Sequence, residues 1–134
     1  MKAVYTAVLT PMEEGSGYYV RVPDLPHCIT TGSSLSDAMD MAADAASVWI
    51  CSAEDHGDPV PAPSDPADIP HEPGEICTLI KLDTVLYRAA TDTRAVRKTV
   101  SLPAWMVNLA NSRGINCSQV LQDALRKMLG VTSV

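Results

Sequence analysis

Residues 97–130 decide the interpretation of this chain, and they read RKTVSLPAWMVNLANSRGINCSQVLQDALRKMLG. Apolar and polar side chains alternate along 94–102, which predicts a β-strand. The proline that follows the strand predicts the first turn of a short helix over 104–112. Ser118 then predicts the N-cap of a second, amphipathic helix over 119–129. The tail of the chain is therefore expected to be a strand followed by two helices.

A unit of this size is hard to stabilise alone. About 40 residues bury too little apolar surface for independent folding, and a lone strand leaves its backbone groups unpaired. We therefore expect two copies to pair through residues 94–134, with their strands antiparallel and four helices over one face. The other face would present Arg97, Thr99 and Ser101 twice. A two-stranded ribbon of such donors and acceptors fits the major groove of DNA.

The same stretch resembles the ribbon-helix-helix family of DNA-binding domains, on the polar alternating strand, V-S-L-P, the short helix, the glycine and the Ser-capped helix. The resemblance implies that alternate strand residues read bases and that the second helix holds a DNA phosphate with its first N–H groups. The candidate base-reading residues are Arg97, Thr99 and Ser101. The candidate phosphate contacts are Cys117, Ser118, Gln119, Arg94 and Arg113.

Charge is divided unevenly along the 134 residues. The net charge of −6 taken whole argues against nucleic-acid binding. Residues 1–93, however, carry a balance of −11, and residues 94–134 carry +5. This asymmetry indicates two modules with different partners, unless it is a chance distribution.

The front of the chain predicts an α+β fold in the order β-β-β-α-β, with a small sheet and one helix. The predicted strands cover residues 2–9, 18–22, 28–31 and 76–82. The last of them is apolar enough to be buried on both faces. The helix is expected to begin at Ser34 or Ser36, as its cap, and to extend to about Cys51. Residues 53–75 are acidic and rich in proline, which predicts an irregular loop.

The front also resembles the N-terminal domain of HicB-type antitoxins. The matching residues are PDLPHCIT at 23–30 and TGSSLSDAMDMAADAASVWI at 31–50, although this chain has His27 where the family pattern has Gly. The resemblance implies a truncated ribonuclease-H-like domain over 1–90 that binds and masks a HicA-type, mRNA-cleaving ribonuclease toxin. It further implies that the domain over 94–134 represses the chain's own operon by binding a palindromic operator.

Several aspartates are candidate contacts for such a basic toxin. Asp37, Asp40 and Asp44 lie on one face of the predicted helix, and Asp24 lies in the PDLP segment. Acidic side chains of this kind form either a solvated face or a docking surface for a basic partner. The sequence leaves both interpretations open.

Two alternative functions remain for these residues. A metal-dependent nuclease needs several carboxylates that converge on a cation. Asp24, His27 and the helix aspartates lack a central strand carboxylate to meet them, so we expect no enzyme activity. The alternative is a DNA-binding regulator whose front domain senses a small ligand, but the sequence contains no Gly-rich phosphate loop to support it.

Targeting and metal signals are missing from the sequence. There is no apolar run long enough to span a membrane and no signal-peptide pattern at the N-terminus. The four cysteines are far apart without C-x-x-C, and the three histidines lie at no ligand spacing. We therefore expect a cytoplasmic protein with free thiols, no metal and no cofactor. The pairing of two tails through residues 94–134 makes it a homodimer, and the sequence leaves a higher oligomer open.

Overall fold

The computed structural model describes residues 1–131 and divides into two compact units. The front unit is Met1–Tyr87, and the rear unit begins at Arg88. The strands are β1 (Lys2–Pro11), β2 (Tyr18–Arg21), β3 (Ile29–Gly32) and β4 (Ile76–Asp83). The α-helices are α1 (Leu35–His56), α2 (Thr84–Thr91), α3 (Ala104–Ser112) and α4 (Cys117–Leu129). The predicted β-β-β-α-β order of the front is confirmed.

The front unit is an antiparallel sheet with strand order β3-β2-β1-β4. Because side chains alternate between the faces of a strand, Tyr5, Ala7 and Leu9 of β1 point to the face that α1 covers, where they are buried. Small residues on α1 allow close approach to this face, namely Ala38, Ala42 and Ala46, each fully buried. The small side chains on α1 and the alternating pattern of β1 together build the core.

The helix α1 begins and ends at residues suited to helix termini. Ser34 is the N-cap, and its Oγ accepts a hydrogen bond from the N–H of Asp37 at 3.1 Å. Asp37 in turn accepts from the N–H of Ser33 at 2.8 Å, which satisfies a second donor at this end. The helix ends at Gly57, whose φ is 71°. It is longer than predicted because nothing between Cys51 and that glycine interrupts helical hydrogen bonding.

The PDLPH turn is held rigidly between β2 and β3. The N–H of Val22 donates to the carbonyl of Cys28 at 3.0 Å, and the N–H of Cys28 donates to the carbonyl of Leu25 at 3.1 Å. Trp49 Nε1 of α1 donates to the carbonyl of Pro26 at 2.9 Å. Within this turn His27 has a φ of 64°, in the left-handed region that favours glycine.

The acidic, proline-rich segment is fixed to the front unit by several contacts. Asp24 accepts hydrogen bonds from the N–H and the hydroxyl of Ser64. Tyr5 donates its hydroxyl proton to the carbonyl of Pro61, and Ile69 is buried. A short 3-10 helix over Pro66–Asp68 interrupts an otherwise irregular path. The predicted loop therefore has a defined place in the fold.

The strand β4 departs from its prediction. The expectation that it is buried on both faces is wrong, because Leu79 is 53% exposed and Cys77 is also exposed, while Ile80 is 3% exposed. The physical reason is the position of β4 in the sheet. β4 lies at the edge of the sheet, and α1 covers only one face, so alternate side chains of an apolar strand face outward.

The rear unit contains α3 and α4, and no residue of either helix is buried. Residues 92–103 form neither strand nor helix. The predicted strand over 94–102 is therefore not formed in the single chain, where no neighbouring strand among residues 1–131 offers it hydrogen bonds. The prediction that Ser118 caps α4 is wrong. Asn116 is the N-cap, and its side chain accepts from the N–H of Gln119 at 3.1 Å.

Candidate functional site

The predicted base-reading residues lie in the exposed segment that precedes α3. Arg97, Thr99 and Ser101 are all exposed. The apolar residues that alternate with them are exposed too, with Val96 at 81% and Val100 at 51%. Polar and apolar side chains are thus both free for contacts in this segment, as a ribbon with one face toward DNA and one toward a core would need.

The first turn of α4 has fewer free donors than the sequence suggested. The N–H of Gln119 is taken by Asn116, and Gln119 Nε2 donates to Asp123 Oδ1 at 2.9 Å. Cys117 and Ser118 are exposed, and no acidic residue lies in this turn. Their N–H groups, at the positive end of the helix, are the ones placed to meet a phosphate.

The two candidate arginines differ in their surroundings. Arg94 forms a two-pronged ion pair with Asp92, with Nε–Oδ1 at 2.8 Å and a second N–O distance of 3.0 Å. The hydrogen bonds and charge of this pair raise the pKa of Arg94 and lower the pKa of Asp92. Arg113 is exposed at the C-terminal end of α3. Arg113 is therefore the better placed of the two to contact phosphate.

A broad set of apolar side chains in the rear unit lies open to solvent. Trp105 is 65% exposed, Leu125 is 45% exposed and Met128 is 84% exposed. The further exposed members on the two helices are Met106, Val107, Leu109, Val120, Leu121 and Leu129. Within the single chain, Ala110 of α3 is half-buried, whereas its large apolar side chains are exposed. Exposed apolar patches of this kind mark interaction sites.

The four aspartates predicted to contact a toxin have different local roles. Asp37 caps the start of α1, as described above. Asp44 accepts a hydrogen bond from the hydroxyl of Tyr87 at 3.2 Å, and the burial and the neighbouring carboxylate raise the pKa of Tyr87. Asp24 holds Ser64 and lies in the PDLPH turn instead of on α1. Asp40 is exposed on α1.

The outward surface of α1 also has an apolar component, which the sequence analysis does not predict. Met41 is 37% exposed and Val48 is 50% exposed. At 100° per residue these two side chains are within about 20° of each other, and Asp37, Asp40 and Asp44 lie on the adjoining side. The seven-residue spacing of Met41 and Val48 was the available signal. We name these five residues the α1 outer face.

Residues 1–131 contain neither a metal-binding cluster nor a membrane-spanning helix. This part of the chain contains no group of three or more His, Cys, Asp and Glu side chains that could hold a metal ion. Among the described helices none is both long and apolar enough to cross a bilayer. Cys28 and Cys51 are buried free thiols, and Cys77 and Cys117 are exposed ones. Burial raises the pKa of the Cys28 thiol.

Comparison with known proteins finds a curated relative of part of the chain and solved structures of similar fold. Antitoxin HicB 1 of Photorhabdus laumondii is 46% identical over 41 residues, which are 31% of this chain and 26% of that protein. The chain thus spans about a quarter of that relative's length. A toxin–antitoxin complex from Streptococcus pneumoniae contains a similar fold, at 20% identity and a TM-score of 0.60 over 96% of this chain and 99% of that one.

A second solved structure, the HicA3 and HicB3 toxin-antitoxin complex, is 26% identical with a TM-score of 0.51, and covers 60% of this chain and 98% of that one. The family model described as the HicB-like antitoxin of bacterial toxin–antitoxin systems matches residues 5–123. That match covers both units that the structure separates. The chain therefore belongs to the HicB-like antitoxin family.

Proposed function

We propose that this chain neutralises a HicA-type, mRNA-cleaving ribonuclease toxin in the bacterial cytoplasm and represses its own operon. The front unit, in the interpretation of a truncated ribonuclease-H-like domain, binds the toxin without itself being an enzyme. A ribbon-helix-helix homodimer of residues 94–134 binds a palindromic operator. The observation that carries this proposal is the family match over residues 5–123, supported by a relative solved as a HicA3 and HicB3 complex.

The exposed apolar side chains of α3 and α4 support the homodimer. Full burial of one leucine or methionine side chain stabilises by about 1.5–3 kcal/mol relative to exposure. Leu125 alone is 45% exposed, and several similar residues accompany it. A second copy of the rear unit would cover these side chains, and it would give the 94–102 strand the partner that the single chain lacks.

The charge and exposure of the rear segment support DNA binding. Residues 94–134 carry a balance of +5, and phosphate contacts depend on such a positive surface. Arg97 is the strongest reader of the three exposed candidates because guanidinium groups contact guanine edges in two places. Arg113, Cys117 and Ser118 are the phosphate contacts that the local geometry favours.

The α1 outer face supports toxin binding. It combines an apolar centre, Met41 and Val48, with the carboxylates of Asp37, Asp40 and Asp44. An apolar centre supplies contact energy, whereas the surrounding negative charge attracts and orients a basic partner. Asp40 is the member of the set for which the structure shows no local partner among the described residues, so it is the best placed to pair with a toxin cation.

Two variants of the full chain test the proposal, each with a control. Asp40→Lys is expected to weaken toxin binding at least tenfold and to leave operator affinity unchanged. Asp68→Lys, the same charge change away from α1, serves as its control. Arg97→Ala is expected to weaken specific operator binding by about 1–3 kcal/mol and to leave toxin affinity unchanged, with Lys127→Ala as its control.

Calorimetry with the purified toxin and fluorescence anisotropy with operator DNA supply the two affinities. The proposal predicts that each variant changes one affinity and spares the other. Equal toxin affinity in Asp40→Lys and Asp68→Lys would remove the α1 outer face from the toxin interface. Unchanged affinity and sequence preference in Arg97→Ala would remove the ribbon from the DNA interface.

A further inference from the structure

The tip of the PDLPH turn, Pro26 and His27, combines backbone strain with open access to solvent. The φ of His27 is 64°, in the left-handed region where a side chain costs energy and glycine does not. Both residues are exposed, so burial of the imidazole does not offset this cost. Among residues 1–131 the imidazole also has no hydrogen-bond partner. Strained residues of this kind cluster at functional sites.

Hydrogen bonds hold the turn in place from both sides. Within it, the N–H of Leu25 donates to the carbonyl of Val22 at 3.0 Å, and Leu25 is 1% exposed. From α1, Trp49 Nε1 donates to the carbonyl of Pro26 at 2.9 Å. A tip that is already fixed loses little conformational entropy when a partner binds to it. The turn is therefore suited to present its exposed side chains to another molecule.

Trp49 also connects the turn to the α1 outer face. Met41, Ala45 and Trp49 follow one another at intervals of four residues, which makes them neighbours along the surface of the helix. Ala45 and Trp49 are half-buried and pack against the core. The apolar centre of the α1 outer face thus continues along the helix to the turn. Tryptophan is among the residues that contribute most to protein interfaces.

We infer that the α1 outer face, Trp49 and the tip of the turn form one continuous toxin interface, in which the imidazole of His27 contacts a basic side chain of the toxin. This inference rests on the proposed function. A neutral imidazole has one nitrogen that accepts a hydrogen bond, whereas lysine and arginine side chains carry donors only. The aspartates of α1 attract a basic partner, and the acceptor of His27 adds a directional contact.

Toxin affinity of the full chain, measured by calorimetry with the purified toxin, tests the inference. His27→Ala removes the imidazole and keeps a Cβ, whereas His27→Lys replaces the acceptor with a cation. His71→Ala and His71→Lys are the matched controls, because His71 is an exposed histidine elsewhere in the front unit. Its neighbour Pro70 accepts a hydrogen bond from Arg21 at 3.4 Å. Arg21 lies opposite Val8 in the β1–β2 ladder, on the face of the sheet away from α1.

His27→Ala is expected to weaken toxin binding by about tenfold or more. His27→Lys is expected to weaken it further, because like charges then meet across the interface. The affinities of both His71 variants are expected to match that of their wild type. His27→Gly separates binding from folding, since it should lose toxin affinity as His27→Ala does while its free energy of unfolding rises. A purely structural role of His27 would instead change stability and affinity in the same direction.

Wild-type toxin affinity in His27→Ala would overturn the inference. So would a His27→Lys variant that binds at least as tightly as His27→Ala, because the toxin group at this position would then not be basic. An equal loss of affinity in the His71 variants would also overturn it, since the effect would not be local to the turn. A wild-type chain that does not bind the toxin would contradict the proposed function itself. Toxin binding that Asp40→Lys weakens and the His27 variants spare would contradict this inference alone.

Discussion

His27 stores backbone strain that a single substitution should release. Its φ of 64° lies in the left-handed region, which costs a residue with a side chain roughly 1–2 kcal/mol. Glycine has no such cost. It nevertheless lowers the free energy of unfolding by about 0.4–1 kcal/mol relative to other residues, because glycine gives the unfolded chain more conformational entropy. His27→Gly is therefore expected to stabilise the front unit by about 0.5–1 kcal/mol. For a unit of this size that corresponds to a rise in Tm of about 2–8 °C.

His27→Ala is the control, because it removes the exposed imidazole while keeping a Cβ in the same strained conformation. We expect its stability to lie within about 0.5 kcal/mol of wild type. Thermal and urea unfolding, followed by circular dichroism, measure both variants. A free energy of unfolding for His27→Gly equal to or below that of His27→Ala would refute the reasoning. It would show that the left-handed conformation at position 27 does not destabilise a residue that has a side chain.

Three further predictions concern stability and assembly. Thr6→Val should stabilise by about 1 kcal/mol, because the Thr6 hydroxyl is buried and has no hydrogen-bond partner among residues 1–131. Thr10→Val should destabilise in the same urea assay, since that hydroxyl bonds to Glu75. The N–H of Glu72 and the Thr10 hydroxyl lower the pKa of the Glu75 carboxyl, so its contribution to stability is complete above about pH 4.3 and is lost as the pH falls through the lowered pKa. Glu75→Gln should remove this loss of stability at acid pH. Identical pH profiles of the free energy of unfolding for wild type and Glu75→Gln would contradict this prediction. Leu125→Lys should dissociate the rear-unit dimer in sedimentation velocity, and an unchanged mass would exclude α4 from the contact.

The front fold was predictable because its signals are local. Alternation along β1, the glycine and serine near Ser34 and the small residues of α1 each act through neighbours in sequence. The exposure of Leu79 was not predictable in this way. Whether an apolar strand lies at the centre or the edge of a sheet depends on strand order, which the composition of β4 does not contain.

The rear unit shows the same division between local and long-range information. The positions of α3 and α4 follow from proline, glycine and apolar spacing. The cap at Asn116 was missed because Ser118 is an equally good capping residue, and only the backbone geometry separates them. The ribbon proposed for 94–102 would need a second copy of the chain, so the sequence pattern predicts a strand that the fold of one chain does not contain.

The two interaction surfaces stay predictions from the sequence, and the structure adds the local partners of their residues. The charge asymmetry predicts a front that binds a basic partner and a rear that binds phosphates. The local partners of Asp24, Asp37 and Asp44 depend on tertiary contacts that composition does not encode. The seven-residue spacing of Met41 and Val48 in the sequence indicates a shared helix face, but only the packed helix shows that this face is exposed.

The central claim is that this chain masks a small basic ribonuclease. The most direct measurement is to purify the full chain together with the product of the neighbouring gene, identify that product by mass, and titrate the chain into it while RNA cleavage is followed. The account predicts a co-purifying basic protein whose cleavage of RNA stops at a stoichiometric amount of the chain. A partner that does not co-purify, or RNA cleavage that continues in excess chain, would contradict it.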